Sequence, residues 1–503
     1  MPTAHRNRLL HKTLRRLLAF AVIPVFLVIG SIRPGTAATA KHYTDLEFPP
    51  LPEVQIPDYS RFQLENGLTV YLMENHELPL VNGIARMRTG DRLEPSDKVG
   101  LADIVGTTMR TGGTQQHPSD QLNQMLEQRA ASVETGIETT SGDASFAALS
   151  EDLDSVFSLF AEVIREPAFA EDKLVLAKTQ RQGAIARRND DPSEITSREF
   201  AKLIYGADSP YARTQEYQTL ENISQADVEG FYQQQFHPNC MILGIVGDFD
   251  APTMTQRIKE KFGDWPAAPE RENVPVPPAT QIKAGETFIV DQPQLSQSNI
   301  QIGHLGGQFD NPDIFSLLVM NEALNSFGGR LFNEVRSRQG LAYSVYAVWS
   351  ARYDYPGLFI SGGQTRSEAT VPFIKAVKTE LDKIRTAPLA ASELQQAKDS
   401  ILNSFVFNFQ DPAQTLSRLM RYEYFGYPDD FIFQYQRAVK SMTAEKVQAA
   451  AQKHLQPDQL VTLVVGNKAE IQPPLEDLGT SATPIDITIP QPVSASSGTL
   501  DQS

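Results

Sequence analysis

Residues 100–114 read Gly-Leu-Ala-Asp-Ile-Val-Gly-Thr-Thr-Met-Arg-Thr-Gly-Gly-Thr. Asp103 is their single carboxylate, Gly106 has no side chain, and Thr107 offers only a hydroxyl. A catalytic zinc needs three protein ligands and an open position for water. Histidines at i and i+4 on one helical turn supply two of them. This chain has eight: His5, His11, His42, His76, His117, His237, His304 and His454. None of those beyond residue 40 has another within five positions. A His-pair zinc helix is therefore excluded there by counting.

The chain repeats itself. Residues 224–247 run Ser-Gln-Ala-Asp-Val…Phe-His-Pro-Asn-Cys-Met-Ile-Leu-Gly-Ile-Val-Gly, and residues 443–466 run Thr-Ala-Glu-Lys-Val…His-Leu-Gln-Pro-Asp-Gln-Leu-Val-Thr-Leu-Val-Val-Gly. Ser224 and Thr443, Val228 and Val447, Pro238 and Pro457, and Gly247 and Gly466 all keep an offset of 219. Such self-similarity means two copies of one unit. Each copy reads as a helix, a Pro turn, a buried strand and a Gly. Ser224 and Thr443 suit the N-cap, where a hydroxyl takes an orphan backbone N–H.

Two tandem halves follow, at about 58–265 and 284–472. Residues 266–283, with Pro266, Pro275, Pro277 and Pro278 among charges, read as a linker. Residues 41–57 form an N-terminal extension. The tail 473–503, rich in Pro, Ser, Thr and Gly, reads as disordered. Within the halves, Leu68–Leu72 alternates like a strand after Asn66-Gly67. Leu153, Val156, Phe157, Phe160 and Val163 keep helical spacing with Ser150 as candidate cap, and Pro167 stops that helix. Ile314, Phe315, Leu318 and Leu324 trace a further helical face, and Leu341–Val348 reads as a strand. The pattern predicts α+β halves, each a mainly antiparallel sheet covered by helices.

The opening stretch resembles the active-site helix of the pitrilysin/insulinase-type zinc metallopeptidases, a family of processing-peptidase-like clamshell halves. There it runs Gly-Leu-Ala-His-x-x-Glu-His; two His bind zinc and the Glu is the general base. Asp103, Gly106 and Thr107 stand at those positions. The family's third ligand is a Glu shortly before an Asp-Asp-Pro-like turn. Asp190-Asp191-Pro192 matches the turn and Ala184 falls at about the Glu position. The resemblance thus implies a degenerate zinc site at Asp103, Gly106, Thr107 and Ala184, with no cofactor bound by this chain.

The resemblance covers most of residues 58–472. Gly328-Gly329-Arg330-Leu331-Phe332-Asn333-Glu334-Val335-Arg336-Ser337-Arg338-Gln339-Gly340-Leu341-Ala342-Tyr343-Ser344-Val345 looks like the family's Arg/Tyr segment. There the Arg holds substrate backbone and the Tyr hydroxyl stabilises the oxyanion at the zinc site across the clamshell. Arg336 and Tyr343 match in type and spacing. Gly340 suits the end of a helix carrying Arg336 in its last turn; Glu334 and Arg338 read as surface charges. Ligands lost but assistants kept is the mark of a non-catalytic subunit. The implied partner is a homologous chain with the intact His-x-x-Glu-His helix, which would hold the zinc and act on a peptide substrate. The competing reading is an inactive scaffold or peptide-binding protein of the same fold. A third, an independent enzyme with other chemistry, lacks a Gly-x-Ser-x-Gly or similar nucleophile motif.

The first 40 residues set the compartment. Arg6, Arg8, Lys12, Arg15 and Arg16 precede the apolar run Leu17–Ile32, and Ala38-Thr39-Ala40 offers a small-x-small cleavage site. This is the pattern of a secretory signal peptide. An uncleaved anchor is the rival; against it, the run is short of the ~20 residues of a span and contains Pro24. Cleavage would remove six basic residues and no acid, taking the formal net charge from −16 to −22. Such a chain repels nucleic acid and anionic lipid. Cys240 is the only cysteine, so no intrachain disulfide forms. An exported chain without disulfides points to a periplasm or similar space.

Overall fold

The computed structural model describes residues 54–269 and 276–490. The leader, the extension up to residue 53, linker residues 270–275 and the tail beyond 490 lie outside the described residues. The first half begins with β1 (Ser60–Gln63), β2 (Thr69–Glu74) and β3 (Leu80–Met87). Helices α1 (Leu101–Thr111) and α2 (Ser119–Glu127) precede the hairpin β4 (Ser132–Ile137) and β5 (Gly142–Leu149). Then come α3 (Leu153–Arg165), α4 (Glu171–Arg187), α5 (Pro192–Tyr205), α6 (Tyr217–Glu221) and α7 (Gln225–Gln235). Strand β6 (Met241–Gly247) and α8 (Ala251–Phe262) close it.

The second half opens with β7 (Thr287–Asp291), β8 (Gln297–Leu305) and α9 (Ile314–Asn325). A π-helix (Phe332–Arg338) leads into the hairpin β9 (Ala342–Ser350) and β10 (Leu358–Arg366). Helices α10 (Thr370–Thr386), α11 (Ala391–Ser404), α12 (Pro412–Phe425), α13 (Phe431–Lys440) and α14 (Ala444–His454) follow. Strands β11 (Val461–Gly466) and β12 (Ala482–Pro484) end the described chain. Two six-stranded sheets result, ordered β1-β2-β6-β3-β5-β4 and β12-β7-β11-β8-β10-β9. Among the described strands, only β2/β6, β7/β11 and β7/β12 pair parallel. The fold is α+β in two similar halves.

The repeated segments fold alike. Ser224 Oγ accepts from Asp227 N–H at 3.2 Å, and Thr443 Oγ1 from Lys446 N–H at 3.3 Å. Both hydroxyls therefore cap their helices, and β6 and β11 that follow are buried throughout. Ser150 behaves differently. Its Oγ donates to Asp248 Oδ2, and a 3₁₀ turn over Ser150–Asp152, not a hydroxyl cap, leads into α3.

Alternation normally marks a strand with one wet face, yet β2 is buried on both. Val70 and Leu72 face the core of their own half. Tyr71 and Met73 pack instead with Ile242, Val246 and the α12 residues Leu416, Leu419, Met420 and Tyr424. The exchange is reciprocal. Ile195, Phe200, Leu203 and Ile204 of α5 pack on Phe288, Val290, Val461, Leu463 and Val465 of the second sheet. Each half lends one helix to the other's outer sheet face, so the two cannot separate without baring both.

The tail corrects an expectation. Residues 473–490 are not a disordered end: β12 pairs with β7 from Ala482 opposite Thr287 to Pro484 opposite Ile289. Ile485 N–H then donates to Ile289 O at 2.8 Å. Ile485 and Ile487 pack on the α5 cluster and Ile489 on the first half's core. The physical cause is an open edge. Strand β7 would otherwise present unpaired N–H and C=O groups, and three isoleucines spaced by two supply the apolar face. Deleting residues 481–503 is expected to cost about 3 kcal/mol, as three half-buried isoleucines would. An unchanged urea midpoint for the truncated chain would contradict that role.

Candidate functional site

Helix α1 is fixed at its N-terminus by a buried carboxylate. Glu94 is 5% exposed and accepts from Gly100 N–H at 3.1 Å and Ala102 N–H at 2.9 Å. It satisfies two of the helix's orphan donors where the dipole favours negative charge. Burial nevertheless raises its pKa to about 7, against the pull of those N–H groups and of Arg213. Ala102, Ile104, Val105 and Met109 sink into the core. That leaves Asp103 and Thr107, one turn apart, on the partly open face.

A guanidinium closes this face. Arg181, on α4, donates through Nε to Asp103 Oδ2, and through Nη2 to Asp103 Oδ1 at 2.7 Å and Thr107 Oγ1 at 3.1 Å. Gln215 Nε2 adds a bond to Asp103 Oδ2 at 3.0 Å. Both carboxylate oxygens are thus occupied and the local charge is neutralised. Ala184 lies three residues beyond Arg181 on α4, exposed and without a donor atom. No group of three or more His, Cys, Asp or Glu among the described residues is arranged to hold a metal. The donors at this site do not fit zinc: one carboxylate is already paired, one hydroxyl is neutral, and the other two positions offer nothing.

Gly106 is held by packing. A Cβ there would lie 2.6 Å from Ile137 N and 2.9 Å from Gly136 C, both backbone atoms at the end of β4. Thr135 Oγ1 donates to Gly106 O at 2.6 Å, and Arg110 Nε to Val133 O at 2.8 Å. The helix lies directly on the edge strand, and the space a longer residue would need is filled.

Arg181 escaped the sequence reading because its partners stand 78 and 74 positions away. Its signal was its place on the helix turn expected to carry the third ligand. The pair with Asp103 is about a third open, with side chains 29% and 34% exposed. A double-mutant cycle with Asp103→Ala and Arg181→Ala is therefore expected to give a coupling of about 1 kcal/mol. Elemental analysis of the native chain is expected to find no stoichiometric zinc; one tightly held zinc per chain, lost in Asp103→Ala, would overturn the reading of this site.

The second group of predicted residues lies on the π-helix and β9. Arg336 Cζ sits 4.8 Å from the Phe332 ring centroid and 4.7 Å from that of Tyr343. The guanidinium thus lies within cation–π reach of both rings. Tyr343, at the start of edge strand β9, is 83% exposed. Gly340 has φ +62°, the left-handed conformation expected after the helix end. The helix itself differs from expectation: residues 332–338 wind as a π-helix, a form frequent at functional sites. Glu334 and Arg338 pair with each other at 2.5 Å. Phe327, 87% exposed, lies against Phe332 with ring centroids 4.7 Å apart and the rings tilted by 46°, so a contact chain runs Phe327–Phe332–Arg336–Tyr343. Phe327 had no sequence signal beyond its place before Gly328-Gly329.

A Ser, a His and an Asp also meet elsewhere. Ser150 Oγ donates to Asp248 Oδ2 at 2.8 Å, and His76 Nδ1 lies 2.6 Å from Asp248 Oδ1. The carboxylate stands between the other two, so the imidazole does not touch the serine hydroxyl. This order cannot activate a nucleophile. Cys240 is buried at the foot of β6.

Residues 83–206 match the family described as insulinase (peptidase family M16), and residues 222–401 match the peptidase M16 inactive domain. A Helicobacter pylori protein named non-peptidase homolog YmxG is 22% identical over 403 residues, covering 78% of this chain and 91% of its own. The crystal structure of a peptidase M16 inactive domain from Pseudomonas fluorescens superposes with a TM-score of 0.72 and 24% identity, covering 85% of this chain and 100% of that one. The periplasmic protease PqqL from Escherichia coli gives a TM-score of 0.70 and 16% identity, matching 83% of this chain to 46% of that one. With the two family regions following one another along a single two-half fold, the chain belongs to the insulinase-type peptidase family M16.

Proposed function

We propose that this chain is the non-catalytic subunit of a two-chain zinc endopeptidase. It pairs with a homologous chain carrying the intact His-x-x-Glu-His helix and lends Arg336 and Tyr343 to that partner's site. The observation that carries this reading is the contrast between two surfaces. Asp103 and Thr107 are closed by Arg181, whereas Tyr343 stands 83% exposed with Arg336 stacked against its ring. An exposed phenol beside a fixed guanidinium suits an oxyanion and a peptide carbonyl brought up by another chain. The non-peptidase name of the Helicobacter relative supports the loss of catalysis. That this chain matches only 46% of PqqL supports a second chain completing the clamshell. Export to a periplasm rests on the leader-like first 40 residues and on the compartment in PqqL's name. No described helix is long and apolar enough to cross a membrane.

Co-expression with a His-x-x-Glu-His homologue from the same source tests the proposal. The expected result is a complex on gel filtration that cleaves peptides faster than the partner alone. An obligate pair buries on the order of 2,000 Å² or more. Failure of every such homologue to form a complex would favour the inactive scaffold.

A further inference from the structure

His304 lies near the end of β8, 1% exposed, and both of its ring nitrogens are engaged. Nδ1 stands 2.7 Å from Leu305 O, and Nε2 stands 3.2 Å from the backbone nitrogen of Gln456. Neither partner can change its role: a backbone carbonyl only accepts and a backbone N–H only donates. Nδ1 therefore carries the proton, Nε2 presents its lone pair, and the ring is neutral. A second proton would set a ring N–H against the N–H of Gln456.

Its neighbours favour the neutral ring. Trp349 of β9 and Phe359 of β10 present aromatic rings, with centroids 6.2 and 5.3 Å away. From α14 the titratable group that faces it is His454, whose Nε2 lies 2.9 Å from Asp313 Oδ2. That oxygen is shared, since Lys453 Nζ donates to it at 2.7 Å. Asp458, beyond Gln456, is exposed. Burial, with His454, holds the imidazole below its ordinary range, against the pull of the Leu305 carbonyl. The bond to Gln456 also closes a knot. Gln281, near the end of the linker, accepts from Leu305 N–H at 2.8 Å and donates to Gln459 O at 2.7 Å. Strand β8, the linker and the α14–β11 connection thus meet at one place. Gln456 is exposed, so the connection can lift off the ring without opening the core beneath.

We infer that His304 is an acid-sensitive pin: neutral, it holds the α14–β11 connection to β8 beside the linker's end, and protonated, it lets that connection go. In the open form the ring meets water and takes a proton near pH 6.5, whereas the closed ring resists one. The pin's contribution is therefore complete above pH 6.5 and is lost as pH falls below it. Opening becomes about tenfold more favourable at pH 5.5 and about thirtyfold at pH 5. The device belongs to this chain alone and does not depend on a catalytic partner.

Hydrogen exchange of the full chain, read by mass spectrometry at pH 7.5 and pH 5 and corrected for the intrinsic pH dependence of exchange, tests it. Peptides covering residues 455–460 are expected to lose protection about thirtyfold at pH 5, while those from α3 keep theirs. In His304→Gln the amide oxygen can still accept from Gln456 and takes no proton, so protection over 455–460 should be the same at both pH values. Should that variant fold poorly, the native chain labelled with 15N-histidine still decides: at pH 7.5 the ring proton is expected on Nδ1, and the ring should stay neutral in the closed form below pH 6.5. Unchanged protection of native 455–460 at pH 5, an equal loss in His304→Gln, or a ring proton on Nε2 would each overturn the inference.

Discussion

Writing the family motif back into α1, with Asp103→His, Gly106→Glu and Thr107→His together, yields a chain that binds no zinc and loses about 3 kcal/mol of stability or more. The third ligand is missing, since Ala184 has no donor. The larger effect is mechanical. A Cβ at Gly106 meets the backbone of Gly136 and Ile137 at 2.6–2.9 Å, and backbone cannot swing aside as a side chain can. Overpacking of this kind typically costs ~1–3 kcal/mol, occasionally more. The same change removes the carboxylate that neutralises Arg181 and places two histidines beside that cation. Gly106→Ala alone separates the two causes, because it brings the clash and keeps the ion pair. Urea denaturation reads the stability and elemental analysis the metal. A triple variant with the native midpoint and one bound zinc would show that the helix still has room for its old chemistry.

What could be read in advance follows from how far each signal reaches along the chain. The 219-residue offset was legible because a capped helix, a Pro turn and a buried strand are local patterns, and both copies fold as such. The exchange of α5 and α12 was not read, although a trace of it stands in the sequence. Asp191-Pro192 and Asp411-Pro412 are 220 positions apart, and both aspartates cap the exchanged helices: Asp191 Oδ1 accepts from Ser193 N–H at 2.7 Å and Asp411 Oδ1 from Ala413 N–H at 2.8 Å. Nothing local says which sheet a helix covers. Similarly, Pro and Ser content hid the Ile485, Ile487, Ile489 alternation, because composition averages over the period of two that builds a strand. At the degenerate site, the missing ligands were plain from residue type. The guanidinium that replaces their charge was not, since a pairing across 78 residues leaves no spacing rule.

Tyr343→Phe in the activated two-chain complex is expected to lower kcat by ~10²–10³-fold, the usual cost of losing one oxyanion donor. Differential binding sets the size of the loss. A hydroxyl aimed at a developing oxyanion stabilises the transition state more than the bound peptide, so KM changes little. The structure adds a control. The Tyr343 ring packs against Arg336 Cζ at 4.7 Å, and phenylalanine keeps that ring, so the guanidinium stays in place and only the hydroxyl is lost. Tyr343→Ala removes both and is expected to raise KM as well, because Arg336 then loses one of its two ring contacts and no longer holds the substrate backbone. Phe332→Leu removes the other ring contact and is expected to raise KM with kcat less affected. Because Tyr343 is 83% exposed, neither tyrosine change should disturb folding, and gel filtration of the complex checks assembly. Native turnover in Tyr343→Phe would leave this tyrosine as a ring that steadies Arg336, and the chemical help from this subunit would then rest on the guanidinium alone.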